Sequence, residues 1–256
     1  MMQSTRYPSL DGKVVFITGG ATGIGEALVE AFVEQGCCVS FIDLQAEVGK
    51  RLCARLTERF GEARVHFYPG DVTKSDDLRE VLALTKARCG DVQILINNVA
   101  NDQRFDTRTL SAESWYRSLA VNLDPAFFAS QAVYPMMARS GGGAVINFSS
   151  INAICGSSNM ASYNAAKAGL IGLTKSLARD FGGDNIRVNT ILPGWVVTER
   201  QLNKWLTPEA EQEWMNRVCL KERILPSDVA NMALFLASDD ARMITGQKFV
   251  IDGGRL

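Results

Sequence analysis

Tyr163 and Lys167 stand four positions apart in the stretch Ser162-Tyr163-Asn164-Ala165-Ala166-Lys167. On a helix that spacing puts both side chains on one face. A free phenol titrates near about 10, too high for a base at neutral pH. A neighbouring ammonium favours the phenolate and lowers that value. The pair therefore reads as an acid/base able to move a proton on or off an alcohol oxygen. Such pairs also arise by chance in helices, so the weight falls on what accompanies this one.

A second group lies near the N-terminus. Val14-Val15-Phe16-Ile17 reads as a buried strand and runs into Thr18-Gly19-Gly20-Ala21-Thr22-Gly23-Ile24-Gly25. Ala27, Leu28, Ala31 and Phe32 then recur at helical spacing. Strand, glycine-rich turn and helix is the phosphate-binding layout of a dinucleotide fold, with free amides and a positive dipole end at the helix start. The glycines here are Gly19, Gly23 and Gly25, not the general G-x-G-x-x-G spacing. A second strand, Cys38 to Ile42, ends at Asp43, near where an acid grips the ribose 2′-hydroxyl. Neither Leu44 nor Thr22 supplies a cation for a 2′-phosphate, which favours NAD over NADP. The other reading of Asp43 is a cap for the next helix.

The elements that would position these groups alternate along the chain. The patterns predict a helix around Leu52 to Phe60, a third strand at Val65-His66-Phe67-Tyr68 and a helix from Ser75 to Ala87. A fourth strand follows at Ile94-Leu95-Ile96, then a long helical region from Ser111 to Met137 that Pro125 should kink near Asn122. The remaining elements are a fifth strand at Ala144 to Phe148, the Tyr163 helix to about Phe181, a sixth strand at Ile186 to Leu192 and a last strand at Lys248 to Ile251. This rhythm predicts a single α/β domain over 1–256: a doubly wound, Rossmann-type parallel sheet of about seven strands with helices on both faces. Ligands bind beyond the carboxyl ends of such strands. That edge collects Gly19 to Gly25, Asp43, Asp71-Val72, Asn98, Ser149-Ser150 and Pro193-Gly194. Any one of these polar residues could be a turn or cap; their convergence is the signal.

Composition narrows the class. The chain has 256 residues and a net charge of −1, so no basic field points to nucleic acid or anionic membrane. The N-terminal stretch lacks a leader's apolar core, and no run reaches the ~18 apolar residues of a membrane span. Six scattered cysteines, Cys37, Cys38, Cys53, Cys89, Cys155 and Cys219, form no CxxC pair and read as reduced core residues of a cytoplasmic protein. His66 is the sole histidine and reads as structural; with no clustered thiols, no metal site is expected.

These motifs together resemble the short-chain dehydrogenase/reductase family across nearly the whole chain. They are Thr18-Gly19 with Gly23-Ile24-Gly25, Asp71-Val72, Asn97-Asn98, Asn122, Ser150, Tyr163 with Lys167, Pro193-Gly194 and Thr198. The resemblance implies a tetrad. Tyr163 would be the base during oxidation, and Ser150, better spaced than Ser149, would bind the substrate oxygen. Lys167 would hold the nicotinamide ribose and depress the Tyr163 pKa, and Asn122 would position a water linking Lys167 to solvent. It further implies that Gly19, Thr22, Gly23, Ile24, Gly25, Asp43, Asp71, Val72, Asn98, Pro193, Gly194, Val196 and Thr198 line the cofactor site, with Asp71 and Val72 at the adenine and the Thr198 hydroxyl at the nicotinamide amide. One departure stands out. Val99-Ala100 replaces the usual Ala-Gly, which adds bulk beside the cofactor. The family also implies a homotetramer through the helices around Ser111–Met137 and Ala161–Phe181.

Within that family, Tyr7-Pro8-Ser9-Leu10, Asn101-Asp102-Gln103-Arg104 and Thr198-Glu199-Arg200-Gln201 with Lys204-Trp205 are similar to bacterial aldose 1-dehydrogenases, which oxidise D-xylose, L-arabinose or D-galactose at C1. On this reading Asn101, Gln103, Arg104, Asn152 and Trp195 join Ser150 and Tyr163 around a sugar, whose hydroxyls each need partners when buried. The segment from Gly194 to about Arg217 would be a lid. A polyol or secondary-alcohol dehydrogenase fits nearly as well. A 3-oxoacyl-type reductase would want a base near Asp43, and a non-catalytic nucleotide sensor would want a damaged tetrad.

Overall fold

A computed structural model describes residues 5–256; the first four residues of the N-terminal stretch discussed above lie outside the described residues. Strands β1 (Val14–Thr18), β2 (Cys38–Asp43), β3 (Val65–Pro69), β4 (Ile94–Asn97), β5 (Gly143–Phe148), β6 (Ile186–Pro193) and β7 (Lys248–Ile251) form one sheet in the order β3-β2-β1-β4-β5-β6-β7. Every pairing is parallel. Both faces are covered, so β1 has no polar side: Val15 and Ile17 enter one core and Val14 and Phe16 the other.

The helices are α1 (Gly23–Glu34), α2 (Ala46–Phe60), α3 (Ser75–Cys89), α4 (Ala112–Asn122), α5 (Asp124–Arg139), α6 (Asn152–Cys155), α7 (Ala161–Phe181), α8 (Glu199–Lys204), α9 (Pro208–Arg217) and α10 (Pro226–Ala237). Helix α1 packs against α10 on one face, with Leu28, Phe32, Val229 and Leu234 buried. Helices α3, α5 and α7 cover the other, through Leu82, Val133 and Leu177.

Helices α6, α8, α9 and α10 lie where the sequence patterns assign no element, and one expected helix changes. The long helix expected from Ser111 to Met137 is broken, not kinked. Leu123 leaves the helical region at φ −129° and ψ −56°, and Pro125 falls in the first turn of α5, where its missing N–H costs no helical bond; the same helix also carries Pro135 in its interior. Helix α10 lies in a stretch to which the sequence patterns assign no element. Pro226 opens it, the Asp228 carboxylate accepts from the Leu225 amide at 2.7 Å, and burial on α1 supplies the rest.

The sheet order reverses between β1 and β4. That opens a crevice at their carboxyl ends.

Candidate active site

A cleft of about 670 Å³ occupies this crevice. Its floor is the β1–α1 turn. Gly19 sits at φ +68° and Gly23 at φ +60°, and a Cβ on Gly25 would overlap the Gly19 carbonyl. Only glycine fits both demands. Thr22 precedes α1 without capping it by its side chain, so the first-turn amides face the cleft free to meet an anion. The turn is braced from two neighbouring strands. Asn98 Nδ2 donates to the carbonyls of Thr18 and Gly19 at 3.2 and 2.8 Å. Asp43 accepts from the Ala21 amide at 3.0 Å and the Gln45 amide at 2.9 Å. Asp43 thus ties the turn after β1 to the loop after β2, and it lines the cleft. Val99 is accommodated: it packs on Gly19, where a Cβ would come within 2.9 Å of it.

Asp71, Val72, Pro193, Gly194, Val196 and Thr198 line the same cleft, with Ile24 and Thr22. Gly194 has no room for a Cβ against Asp252. Thr198 caps α8 by accepting from the Gln201 amide at 3.3 Å.

Tyr163 and Lys167 both project from α7 into the cleft, with the ammonium nitrogen 5.8 Å from the phenol ring centre. Lys167 is 1% exposed and its Nζ donates to the Phe148 carbonyl at 2.7 Å. The two serines after β5 divide the work. Both line the cleft, but Ser149 donates to the Lys167 carbonyl at 2.7 Å and so anchors α7, whereas Ser150 accepts from the Asn152 amide at 3.2 Å.

The electrostatics differ from the expectation. Burial pushes the Tyr163 phenol up to about 12; the Ser150 hydroxyl pulls it down, Asp102 pushes it up and Arg200 pulls it down. Burial also brings Lys167 down to about 7. The ammonium is not among the groups that set this phenol; in both residues burial is the largest cause and disfavours the charged form.

Four of the expected site residues stand outside the cleft wall. Asn122 is locked to the main chain of Asn101, accepting from its amide at 2.8 Å and donating to its carbonyl at 3.1 Å. It shapes the loop after β4. Asn152 is occupied by Ser157, whose hydroxyl donates to Oδ1 at 2.9 Å. Gln103 is exposed, and Arg104 stacks on Trp205 at 4.0 Å. Asn101 and Trp195 do line the cleft, although the Trp195 indole donates to Gln201 at 2.8 Å and meets Trp214 edge-on. Asp102, part of the Asn101–Arg104 loop expected to face a polar ligand, is on the wall, and so are Arg117, Arg200 and Gln201, which the expected set omits. Arg200 donates to Asp102 at 2.7 Å and to Asn101 at 3.0 Å, and Gln201 donates to Asp102 at 2.9 Å. Asp102 and Arg200 lie 98 positions apart, so no local spacing announces their pairing.

A further correction concerns sulfur. Cys38 and Cys89 are joined as a disulfide with His66 beside them, Cys155 and Cys219 are exposed, and only Cys37 is a buried free thiol. The clustering is tertiary, since 51 positions separate the bonded pair.

Comparison with known proteins agrees with this geometry. A family model described as enoyl-(acyl carrier protein) reductase matches residues 19–255. A probable galactose dehydrogenase of Rhizobium meliloti (strain 1021) is 45% identical over 253 residues, covering 99% of this chain and 98% of that protein. A D-xylose 1-dehydrogenase of Caulobacter vibrioides is 44% identical over 255 residues, covering 99% of each. Among solved structures, a 7α-hydroxysteroid dehydrogenase complexed with NADH and 7-oxo glycochenodeoxycholic acid superposes with a TM-score of 0.92 at 31% identity, covering 97% of this chain and 96% of that one. With its glycine turn, its Tyr163–Lys167 pair and full-length relatives of this kind, the chain belongs to the short-chain dehydrogenase/reductase family of oxidoreductases.

Proposed function

We propose that this protein is an NAD-dependent aldose 1-dehydrogenase that oxidises a cyclic sugar such as D-galactose, D-xylose or L-arabinose to its aldonolactone. What carries the sugar reading is the polar wall after β4, where Asn101, Asp102, Arg200 and Gln201 offer donors and acceptors beside Tyr163. A buried sugar needs a partner for each hydroxyl. The names of the two relatives at 44–45% identity support the same substrate class.

The free first-turn amides of α1, in a turn that Gly25 lets close tightly on the Gly19 carbonyl, fit a pyrophosphate, and Asp43 with exposed Leu44 fits an unphosphorylated ribose. The dinucleotide supplies, when bound, acceptance of a hydride from carbon. The chain supplies the rest. Ser150 donates a hydrogen bond to the anomeric oxygen, and Tyr163 Oη removes its proton. Lys167, fixed to the Phe148 carbonyl, presents its head group towards the ribose. Asn122 acts by holding Asn101, and so the sugar-facing loop, in place.

Residues 194–217, which carry α8 and α9, act as the lid. They are held down through Arg200, Gln201 and the Arg104–Trp205 stack. The assembly is a homotetramer in the cytoplasm. Among the described residues no helix is long and apolar enough to cross a membrane.

The test is a panel of aldoses, polyols and secondary alcohols with NAD or NADP, followed by reduced-cofactor absorbance and product analysis. Lactone formation from an aldose with NAD is the expected result. A ketose formed from a polyol, with no turnover of any aldose, would replace this reading. Asp43→Ser should raise turnover with NADP relative to NAD; an unchanged ratio would remove Asp43 from cofactor choice.

A further inference from the structure

A second cluster of reactive side chains lies at the opposite edge of the sheet from the cleft. Cys38 opens β2, His66 is the second residue of β3 and Cys89 closes α3. In the β2–β3 register His66 is opposite Ser40. Residues two apart on a strand share a face, so Cys38, Ser40 and His66 look the same way. Cys89 meets them there, its Cα 6.2 Å from that of Cys38. Both sulfurs and an imidazole nitrogen lie within 4.8 Å of one another. Three elements thus converge on one point with two thiols and an imidazole, the donor set of soft cations.

We propose that the reduced Cys38–His66–Cys89 cluster binds one thiophilic divalent cation of the zinc class, in competition with the Cys38–Cys89 disulfide. The dithiol forms when an external thiol or phosphine reductant delivers two electrons to the disulfide and each sulfur takes a proton. Binding of the cation then displaces those two protons. Three protein donors leave one corner of a tetrahedron for water or another small ligand. The Ser40 hydroxyl, fully buried and without a hydrogen-bond partner, lies on the same face and can bond to a ligand placed there.

The test uses the full chain, reduced with tris(2-carboxyethyl)phosphine under nitrogen and titrated with Co²⁺ alone. A thiolate-to-cobalt charge-transfer band should grow, saturate at one equivalent and vanish when Zn²⁺ is added. Cys89→Ser should abolish the band, and His66→Gln should weaken binding about tenfold or more. A variant with Cys37, Cys53, Cys155 and Cys219 all changed to serine should keep it. Wild-type protein left oxidised should show no band until reduced, a comparison that needs no variant to fold. Absence of the band in reduced wild type, its survival in Cys89→Ser, or its equal strength in oxidised protein would overturn the proposal.

Discussion

At the scale of single residues, Tyr163 is where solvation and chemistry conflict. Its burial keeps the phenol neutral, which suits a proton donor in carbonyl reduction but holds back a base in alcohol oxidation. Tyr163→Phe removes the proton relay and leaves the rest of the cleft, so turnover should fall about 10²- to 10⁴-fold while NAD binding, read by fluorescence titration, stays. The oxidation rate should rise with pH, because only the deprotonated phenol accepts a proton. Asp102 raises that pKa and Arg200 lowers it. Asp102→Asn should therefore move the alkaline limb of the kcat/KM profile to lower pH, and Arg200→Gln should move it higher. Shifts of the same sign in both variants would show that the limb reports another group.

At the scale of elements, the turn between β1 and α1 and the segment carrying α8 differ in how they are held. The turn is set by backbone. A methyl at Gly25 meets the Gly19 carbonyl, which cannot swing away without breaking its bond from Asn98. Gly25→Ala should cost most of the NAD affinity, measured by calorimetry, before it costs folding. Segment α8 is held by side chains at a half-exposed surface: Arg200 and Gln201 on Asp102, and Arg104 on Trp205. Contacts of that kind are worth about 1 kcal/mol each. A segment pinned so lightly can open. Arg104→Ala should speed hydrogen exchange in residues 199–205 and raise the sugar KM, with the KM for NAD unchanged. Equal exchange in both proteins would remove the stack from the latch.

At the scale of the whole molecule, the helical layer of α4 and α5 leaves Tyr116, Phe127 and Phe128 exposed, at 68, 40 and 41%. A monomer with this much aromatic surface on one layer invites association. Light scattering should find four copies at micromolar concentration. Phe127→Ser with Phe128→Ser should give a smaller species of unchanged far-ultraviolet circular dichroism; a double variant that remains tetrameric would move the interface elsewhere.

Much of this was legible in the order of residues. The β1 run, its glycine turn and the apolar spacing of α1 are local signals, and they are enough to place a dinucleotide crevice at the carboxyl edge of the sheet. The spacing of Tyr163 and Lys167 is equally local, since one helix turn brings them together wherever the helix lies. Asp43 is harder. Its position at the end of β2 is readable, but its grip on the Ala21 amide depends on two strands lying side by side. Only the tertiary structure decided what depends on distance and burial. It paired Asp102 with Arg200 across 98 positions, brought Cys38 to Cys89 and His66, turned Arg104 away onto Trp205, and fixed the pKa values of Tyr163 and Lys167. A sequence states which groups are nearby along the chain; how far each lies from water and from distant charges is a property of the packed fold.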